Sequence, residues 1–350
     1  MPSNHKPKPN LEIIPFNLDR DLPSISQIWS AALPYYALPP EELAQLLPQD
    51  NAHHFICTIN SEPVGFCLSY TNRHPSSSSA SAYIAVLAVH PDAQGKGVGA
   101  ALLDGTIARH RENFGPCRLE LGSSFPRFWP GVPVSLPSTV SNGGDQKTSH
   151  GVQSNALDFF VNRGFKMRPD PPRSVDMYRD IRNFSLDEEG NDCVRKAREA
   201  GLTFEPLKDE GYAACMEGQR RNFANNAAWV DMYTKLSPIT HPSSIMTAFS
   251  PSGTQIGWTL MLAPSSPILS TNWAMPSVCG PRTGLIGCVG VDSEYRGKGL
   301  GLALIAHAIN DLKKRGVEGV FIDWVAIEGF YEKLGFEVWA RYRVGDMEVE

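Results

Sequence analysis

LAVHPDAQGKGVGAALLDG, Leu87 to Gly105, returns as VGVDSEYRGKGLGLALIAH, Val289 to His307, with Gln94 aligned on Arg296 at an offset of 202 (296 − 94). A long self-similarity at a fixed offset predicts that both halves hold the same supersecondary unit. In each copy an apolar strand runs into a glycine loop, Gln94-Gly-Lys-Gly-Val-Gly99 or Arg296-Gly-Lys-Gly-Leu-Gly301, and the loop opens an apolar-periodic helix. The start of a helix offers unsatisfied N–H groups and the positive end of its dipole, and glycines let backbone close around an anion with no Cβ in the way. A pyrophosphate fits such a loop. Neither the acidic residue of a dinucleotide fingerprint nor the Gly-Lys-Ser/Thr of a P-loop is met.

The 350 residues exceed one ordinary core, and 42% apolar with 20% charged residues is globular composition. A net charge of −5 provides no positive field for a phosphate backbone, so nucleic acid is not expected as a partner. Met1 to Asn10 has neither a signal-peptide nor a transit-peptide pattern, and no apolar run reaches membrane-spanning length. A protein of the cytosol or nucleus with no membrane partner is expected. The seven cysteines lie far apart without a C-x-x-C pair, which predicts buried free thiols and no metal site.

Outward from the first motif, Leu11 to Leu18 reads as a strand, Asp21 to Leu33 as a helix capped by Asp21, and Glu41 to Leu47 as a second helix. HHFICTI and PVGFCLSY around Asn60-Ser61-Glu62 read as a hairpin. Tyr83 to Val89, the helix Val98 to Glu112 and the strand Cys117 to Leu121 follow. Residues 135–153 read as a flexible insertion, Asn155 to Arg163 as a short helix, and Val175 to Ile181 as the strand that closes the first domain. The second half repeats the order: a strand Leu202 to Leu207, helix over Glu210 to Lys235, a hairpin around Pro251-Ser252-Gly253, the strand Leu285 to Val291, a helix to Arg315, the strand Val317 to Val325, a helix Ile327 to Leu334 and a last strand near Trp339 to Val344. The expected organisation is an α/β (α+β) fold of two tandem domains, each a mixed central sheet flanked by helices. These are 10–184 and 202–350, joined by a connector 185–201.

The strand, the loop His90 to Ala93 or Asp292 to Tyr295, and the Q/R-x-x-G-x-G run together resemble motif A of the GNAT superfamily of acetyl-CoA-dependent N-acetyltransferases. That resemblance implies that backbone N–H groups of Gln94, Gly95, Lys96, Gly97, Val98 and Gly99, and of Arg296, Gly297, Lys298, Gly299, Leu300 and Gly301, hold the pyrophosphate of acetyl-CoA. It also implies that Leu87 and Val89, and Val289 and Val291, receive the pantetheine arm. Gly329-Phe-Tyr-Glu-Lys-Leu-Gly-Phe336 looks like the family's closing helix and places Tyr331 where a tyrosine protonates the leaving thiolate. The matching run Asp158-Phe-Phe-Val-Asn-Arg-Gly-Phe165 has Phe160 there, which cannot donate a proton. The second half is therefore the expected catalyst.

Removing a proton from the attacking amine calls for a carboxylate or histidine in reach. Asp323, in Phe321-Ile-Asp-Trp-Val325, and Glu120, in Arg118-Leu-Glu-Leu121, are the candidates, although both positions also suit ordinary polar-face residues of half-buried strands. Gly122 to Pro133 is dense in aromatics and proline. Phe128 and Trp129 offer flat faces of the sort that cover sugar rings, or a hydrophobic plug. With the Pro-Gly-Val-Pro turn, this segment resembles glucosamine and glucosaminide N-acetyltransferases. The resemblance implies a small primary amine as partner, an amino sugar attacking the thioester directly, with no covalent enzyme intermediate and the oxyanion held by backbone N–H groups. A protein-lysine acetyltransferase, using acidic residues such as Asp187, Glu188, Glu189 and Asp192, and a CoA-binding sensor are the alternatives. The sequence does not speak to oligomeric state.

Overall fold

The structure is a computed structural model that describes residues 10–72, 81–122, 125–135, 137, 155–170, 174–186 and 192–350. The chain forms two compact units, each built on a mixed sheet. Unit 1 begins with β1 (Leu11–Pro15), α1 (Leu18–Ala32), α2 (Pro40–Leu46) and the hairpin β2 (Phe55–Ile59) and β3 (Glu62–Asn72). It continues with β4 (Ser81–Val89), α3 (Val98–Phe114), β5 (Cys117–Leu121), the two-residue strand β6 (Val132–Pro133), the helix α4 (155–161) and β7 (Lys166–Met167). Asn17, not Asp21, caps α1: its side chain accepts from the Arg20 N–H, while Asp21 is buried within the first turn and accepts from Arg20 and the Asn17 N–H.

The following segments are β8 (Ser174–Asp180), α5 (Asp192–Glu199), β9 (Thr203–Pro206), α6 (Tyr212–Phe223), α7 (Ala227–Lys235), and the hairpin β10 (Ile245–Phe249) and β11 (Gln255–Leu262). Then come α8 (Pro267–Asn272), α9 (Met275–Val278), β12 (Thr283–Val291), α10 (Leu300–Lys314), β13 (Gly319–Val325), β14 (Glu337–Arg343) and β15 (Gly345–Val349). The helix expected over Ile327 to Leu334 is a single 3₁₀ turn, Tyr331–Leu334. Gly329, at φ +69°, sits in the left-handed region just before it and stops an α-helix from running through. The expected flexible insertion 135–153 lies almost wholly outside the described residues, as do Asp187, Glu188 and Glu189.

The unit 1 sheet runs β1-β2-β3-β4-β5-β15-β7, and the unit 2 sheet carries β14-β8-β13-β12-β11-β10-β9. All neighbours are antiparallel except β4 with β5 and β12 with β13. The repeat is thus visible strand by strand, with one reciprocal exchange. The strand at 175–181, expected to close the first domain, lies between β13 and β14 of unit 2, and β15 lies between β5 and β7 of unit 1. The boundaries drawn at 184 and 202 shift accordingly: 170–342 belongs to unit 2 and 343–350 to unit 1. The connector is also part of unit 2, since Val194 of α5 is buried in that core.

Each core lies between the sheet and the helix that follows the glycine loop. α3 buries one stripe, Val98, Leu102, Leu103, Thr106 and His110. α10 is apolar nearly all round, with Leu302 to Ala306, Ala308, Ile309 and Leu312 buried. Its second apolar face is needed because α5 packs on it as well as the sheet. In unit 1, β15 adds four registered pairs to β5, and Val349 is buried in that core.

Unit 1 also contains a cluster of buried histidines. Ser69 Oγ lies 2.5 Å from His110 Nε2, and the Ser69 N–H donates to His54 Nδ1 at 3.2 Å. Burial lowers the pKa of His54 and of His110 to about 4, so the folded unit holds both rings neutral. Between pH 6.5 and 4 the unfolded chain then binds more protons than the folded one, and stability falls as the pH falls through that window. His110→Gln is expected to show a smaller loss of melting temperature than wild type between pH 7.5 and 5.0; equal losses would remove His110 from the account. Deleting residues 344–350 is expected to lower the melting temperature and expose the β5 edge to hydrogen exchange at Cys117 to Leu121. Wild-type protection of those amides in the truncated chain would contradict the strand exchange.

Candidate functional site

The two glycine loops adopt the same conformation. Gly95 and Gly97 have φ +72° and +86°, and Gly297 and Gly299 both +78°, all in the left-handed region that a side chain resists. Gly97 and Gly299 are the N-caps of α3 and α10, so the free N–H groups of the first helical turn open onto the loop. A Cβ added at Gly95, Gly297 or Gly299 would meet nothing within 4 Å, which leaves the outer side of each loop open to a ligand. The side chain at the head of each loop ties it to the preceding strand, Gln94 Nε2 to Val89 O at 3.2 Å and Arg296 Nε to Val291 O at 3.1 Å. In unit 2, Arg221 of α6 pairs with Asp292 at 2.6 Å and Asn222 Oδ1 accepts from the Ser293 N–H at 3.1 Å, which anchors α6 to the turn before the loop.

The parallel strands beside each loop share only a short ladder. β4 and β5 pair from Ser81↔Arg118 to Ile84↔Leu121, and β12 and β13 from Thr283↔Gly319 to Leu285↔Phe321. Past Leu285 and Phe321 the two strands continue, but β12 stays against β11 and β13 against β8. The pairing opens into a cleft on which Val289 and Val291 lie, as Leu87 and Val89 do along β4.

Asp323 and Tyr331 meet at this cleft. Asp323 Oδ2 accepts from Trp273 Nε1 at 3.0 Å, and Oδ1 lies 4.0 Å from where a Cβ at Gly287 would stand, so the carboxylate reaches across from β13 toward β12. Tyr331 packs edge-on against Phe330 and Phe336. Burial first, then the charges of Asp323 and Cys288, raise the Tyr331 pKa and keep its phenol protonated. Tyr233 Oη donates to Cys288 O at 3.0 Å and pins α7 to β12 where Cys288 takes φ +48°. Trp273, on the α8–α9 segment, and Tyr233 were missed in the sequence. The only signal was a tyrosine in an ordinary helical stretch and a tryptophan in a stretch with no assigned element.

Unit 1 differs at each of these points. Ser81 aligns with Thr283 at an offset of 202 (283 − 81), and its partner Arg118 with Gly319 at 201 (319 − 118). The residue in the place of Asp323 is therefore Gly122 (323 − 201), not Glu120. Glu120 accepts an ion pair from Arg168 at 2.7 Å, and Arg168 and Arg118 both reach Asp346 of β15, so Glu120 belongs to a surface charge network and is not a base poised at a cleft. Phe159 packs on Gly99 as Phe330 packs on Gly301, so Phe160 follows that contact in unit 1 as Tyr331 does in unit 2.

The aromatic segment after β5 does not offer open faces. Phe128 is 1% exposed and Trp129 7%, packed against Trp29, Tyr36 and Tyr70. The proposal that they cover a sugar ring is corrected: they plug unit 1, because a dry aromatic cluster is more favourable than two exposed rings. Pro130 is backbone-close to Gly122, where an added Cβ would lie 2.5 Å from its carbonyl carbon.

Among the described residues no group of three or more histidine, cysteine or carboxylate side chains is arranged for a metal ion, and the seven cysteines form no disulfide. No helix there is long and apolar enough to cross a membrane.

Residues 22–124 match the model of the acetyltransferase (GNAT) family, and residues 272–338 match a second acetyltransferase (GNAT) domain model. The chain carries two GNAT acetyltransferase domains in tandem. A mycothiol acetyltransferase of Mycobacterium leprae is 24% identical to this GNAT chain over 330 residues, 90% of the chain and 91% of the relative. The fold of the tandem GNAT chain is similar, at TM-score 0.83 and 24% identity over 98% of its length, to a GCN5-related glucosamine N-acetyltransferase region of a fungal multi-domain GH3 β-N-acetylglucosaminidase, of which it spans 38%. It is also similar to a tandem GNAT protein from the clavulanic acid biosynthesis pathway, at TM-score 0.61, 16% identity and 97% and 99% coverage.

The contrast between the crowded turn at Gly122 and the roomier strand at Gly287 has a direct test. Gly122→Ala is expected to destabilise by about 2 kcal/mol or more, because it adds a backbone collision to a φ of +95°. Gly287→Ala, whose Cβ would meet the Leu285 side chain at 3.4 Å and Asp323 Oδ1 at 4.0 Å, both ordinary contacts, is expected to fold with near wild-type stability. Equal denaturation midpoints for the two variants would contradict the asymmetry.

Proposed function

We propose that unit 2 transfers the acetyl group of acetyl-CoA to the primary amine of an amino sugar such as glucosamine. The observation that carries this is the asymmetry just described: one cleft holds a protonated tyrosine and a carboxylate aimed across it, and the other has Phe160 and Gly122 at the matching positions. The open left-handed glycines and free helical N–H groups suit the pyrophosphate, with Arg296 to Gly301 holding it and Val289 and Val291 facing the pantetheine arm. Bound acetyl-CoA supplies the thioester that the amine attacks.

Asp323 is the base in this scheme. Its carboxylate takes a proton from the incoming ammonium so that the nitrogen lone pair is free, and the Trp273 N–H fixes which oxygen does so. Tyr331 stays protonated and donates its hydroxyl hydrogen toward the sulfur as charge develops there. Unit 1 has neither group. A small acceptor is supported by the names of two similar proteins, a mycothiol acetyltransferase and a glucosamine N-acetyltransferase region.

The test is release of CoA thiol from acetyl-CoA with glucosamine, a glucosaminide, a polyamine and a histone-tail peptide as separate acceptors. Turnover is expected on the amino sugars, and Tyr331→Phe is expected to lower kcat about 10²-fold. Turnover on the peptide alone would make this a protein acetyltransferase. Acetyl-CoA binding without turnover on any acceptor would make it a sensor.

A further inference from the structure

Asp176 sits at an unusual place in the unit 2 sheet. On one side the register of β8 with β13 runs from Met177↔Ile322 to Val175↔Val325, so Asp323 and Trp324 together face the single residue Asp176. On the other side Met177↔Val338 is followed by Asp176↔Ala340, with Trp339 as the extra residue. Two β-bulges therefore flank one carboxylate, and each removes backbone partners from a ladder. The carboxylate replaces one of them and takes a side-chain donor on the other side. Oδ1 accepts from the Trp324 N–H at 2.8 Å, and Oδ2 accepts from Tyr342 Oη at 2.8 Å.

Asp176 is 1% exposed, and a carboxylate so buried is held only where it is well hydrogen-bonded. Trp324 has φ +49°, a left-handed conformation that a bulky residue adopts only when its surroundings enforce it. The bond from the Trp324 N–H to Asp176 fixes the peptide that joins Trp324 to Asp323. A bulge in this position turns the strand and re-aims the side chain that precedes it. Asp323 is then fixed twice, through its backbone by Asp176 and through Oδ2 by Trp273.

We infer that Asp176 is a positioning residue: its buried carboxylate, bridging the bulge of β13 and Tyr342 of β14, aims Asp323 across the cleft. This rests on Asp323 acting as the base. Asp176 touches neither reactant, so its removal displaces the base and leaves the acetyl-CoA loop intact.

The experiment measures kcat and KM for Asp176→Ala, Asp176→Asn, Tyr342→Phe, Asp323→Ala and the double variant Asp176→Ala/Asp323→Ala, using the best acceptor of the screen above. Asp176→Ala is expected to lose about 10²-fold in kcat, the cost of a base misplaced by about 1 Å, with the KM for acetyl-CoA unchanged. Asp176→Asn, whose amide oxygen still accepts the Trp324 N–H, is expected to recover most of that loss. The double variant is expected to be no slower than Asp323→Ala.

A folded Asp176→Ala with wild-type kcat, or a double variant slower again than Asp323→Ala, overturns the inference and leaves Asp323 as the base. A wild-type rate for Asp323→Ala overturns the underlying assignment and the inference together. Should Asp176→Ala not fold, Tyr342→Phe carries the test: a lower kcat at unchanged acetyl-CoA KM supports the inference, and an unchanged kcat overturns it.

Discussion

Two parallel strands share a ladder only as far as their twist and register allow, and in unit 2 that is three residue pairs, Thr283↔Gly319 to Leu285↔Phe321. Everything chemical in the unit follows from where that ladder stops. Backbone groups that parallel partners would have satisfied now line a cleft, and an unpaired buried polar group is costly unless something else bonds it. β12 stays paired on its far side with β11, and β13 with β8, so the sheet remains intact while its middle opens. The glycine loop at the end of β12 and the 3₁₀ turn carrying Tyr331 then converge, with Phe330 packed on Gly301.

A like parallel ladder and the same glycine loop exist in unit 1. The paired glycine φ values differ by 6° (78 − 72) and 8° (86 − 78), and the strand-to-loop side-chain bond is kept as Gln94 or Arg296. What differs is the segment after the second parallel strand. In unit 1 it turns at Gly122 and brings Phe128 and Trp129 into an aromatic cluster with Trp29, while in unit 2 it continues as a bulged strand through Asp323. Burying two aromatic rings stabilises unit 1, where unit 2 carries the hydrogen-bonded carboxylate of Asp323 on its bulged strand.

Features carried by a single contiguous run were legible in the sequence. The glycine loops, the helices they cap and the exchange of Tyr331 for Phe160 all depend on neighbours within a few residues, and each appears where the pattern placed it. Features that depend on which sheet a strand joins were not. Val175 to Ile181 alternates as well for one sheet as for the other, and nothing local to it says that β15 will take its place beside β5. Phe128 and Trp129 have the same composition whether they line a groove or fill it, and only packing against Trp29, Tyr36 and Tyr70 decides. Glu120 failed as a candidate for a related reason: its partner Arg168 lies 48 residues on, and Asp346 of the same network far beyond that.

The strand exchange gives the second site a dependence that neither family match contains. Residues 22–124 and 272–338 carry the two GNAT signatures, yet β8, at Ser174–Asp180, lies outside both. A strand that merely filled a gap would need only apolar residues on its inward face, and Val175 and Met177 meet that need. An aspartate between them, almost fully buried, is a cost the fold accepts only if its hydrogen bonds return more than an apolar residue would. Those bonds go to the Trp324 backbone of β13 and to Tyr342 of β14, the strands on either side. The simplest physical reason to keep a charge there is that the bulge at Asp323 and Trp324 needs an acceptor no regular strand can offer, and so the shape of the cleft is set by a residue that the signature of the domain does not include.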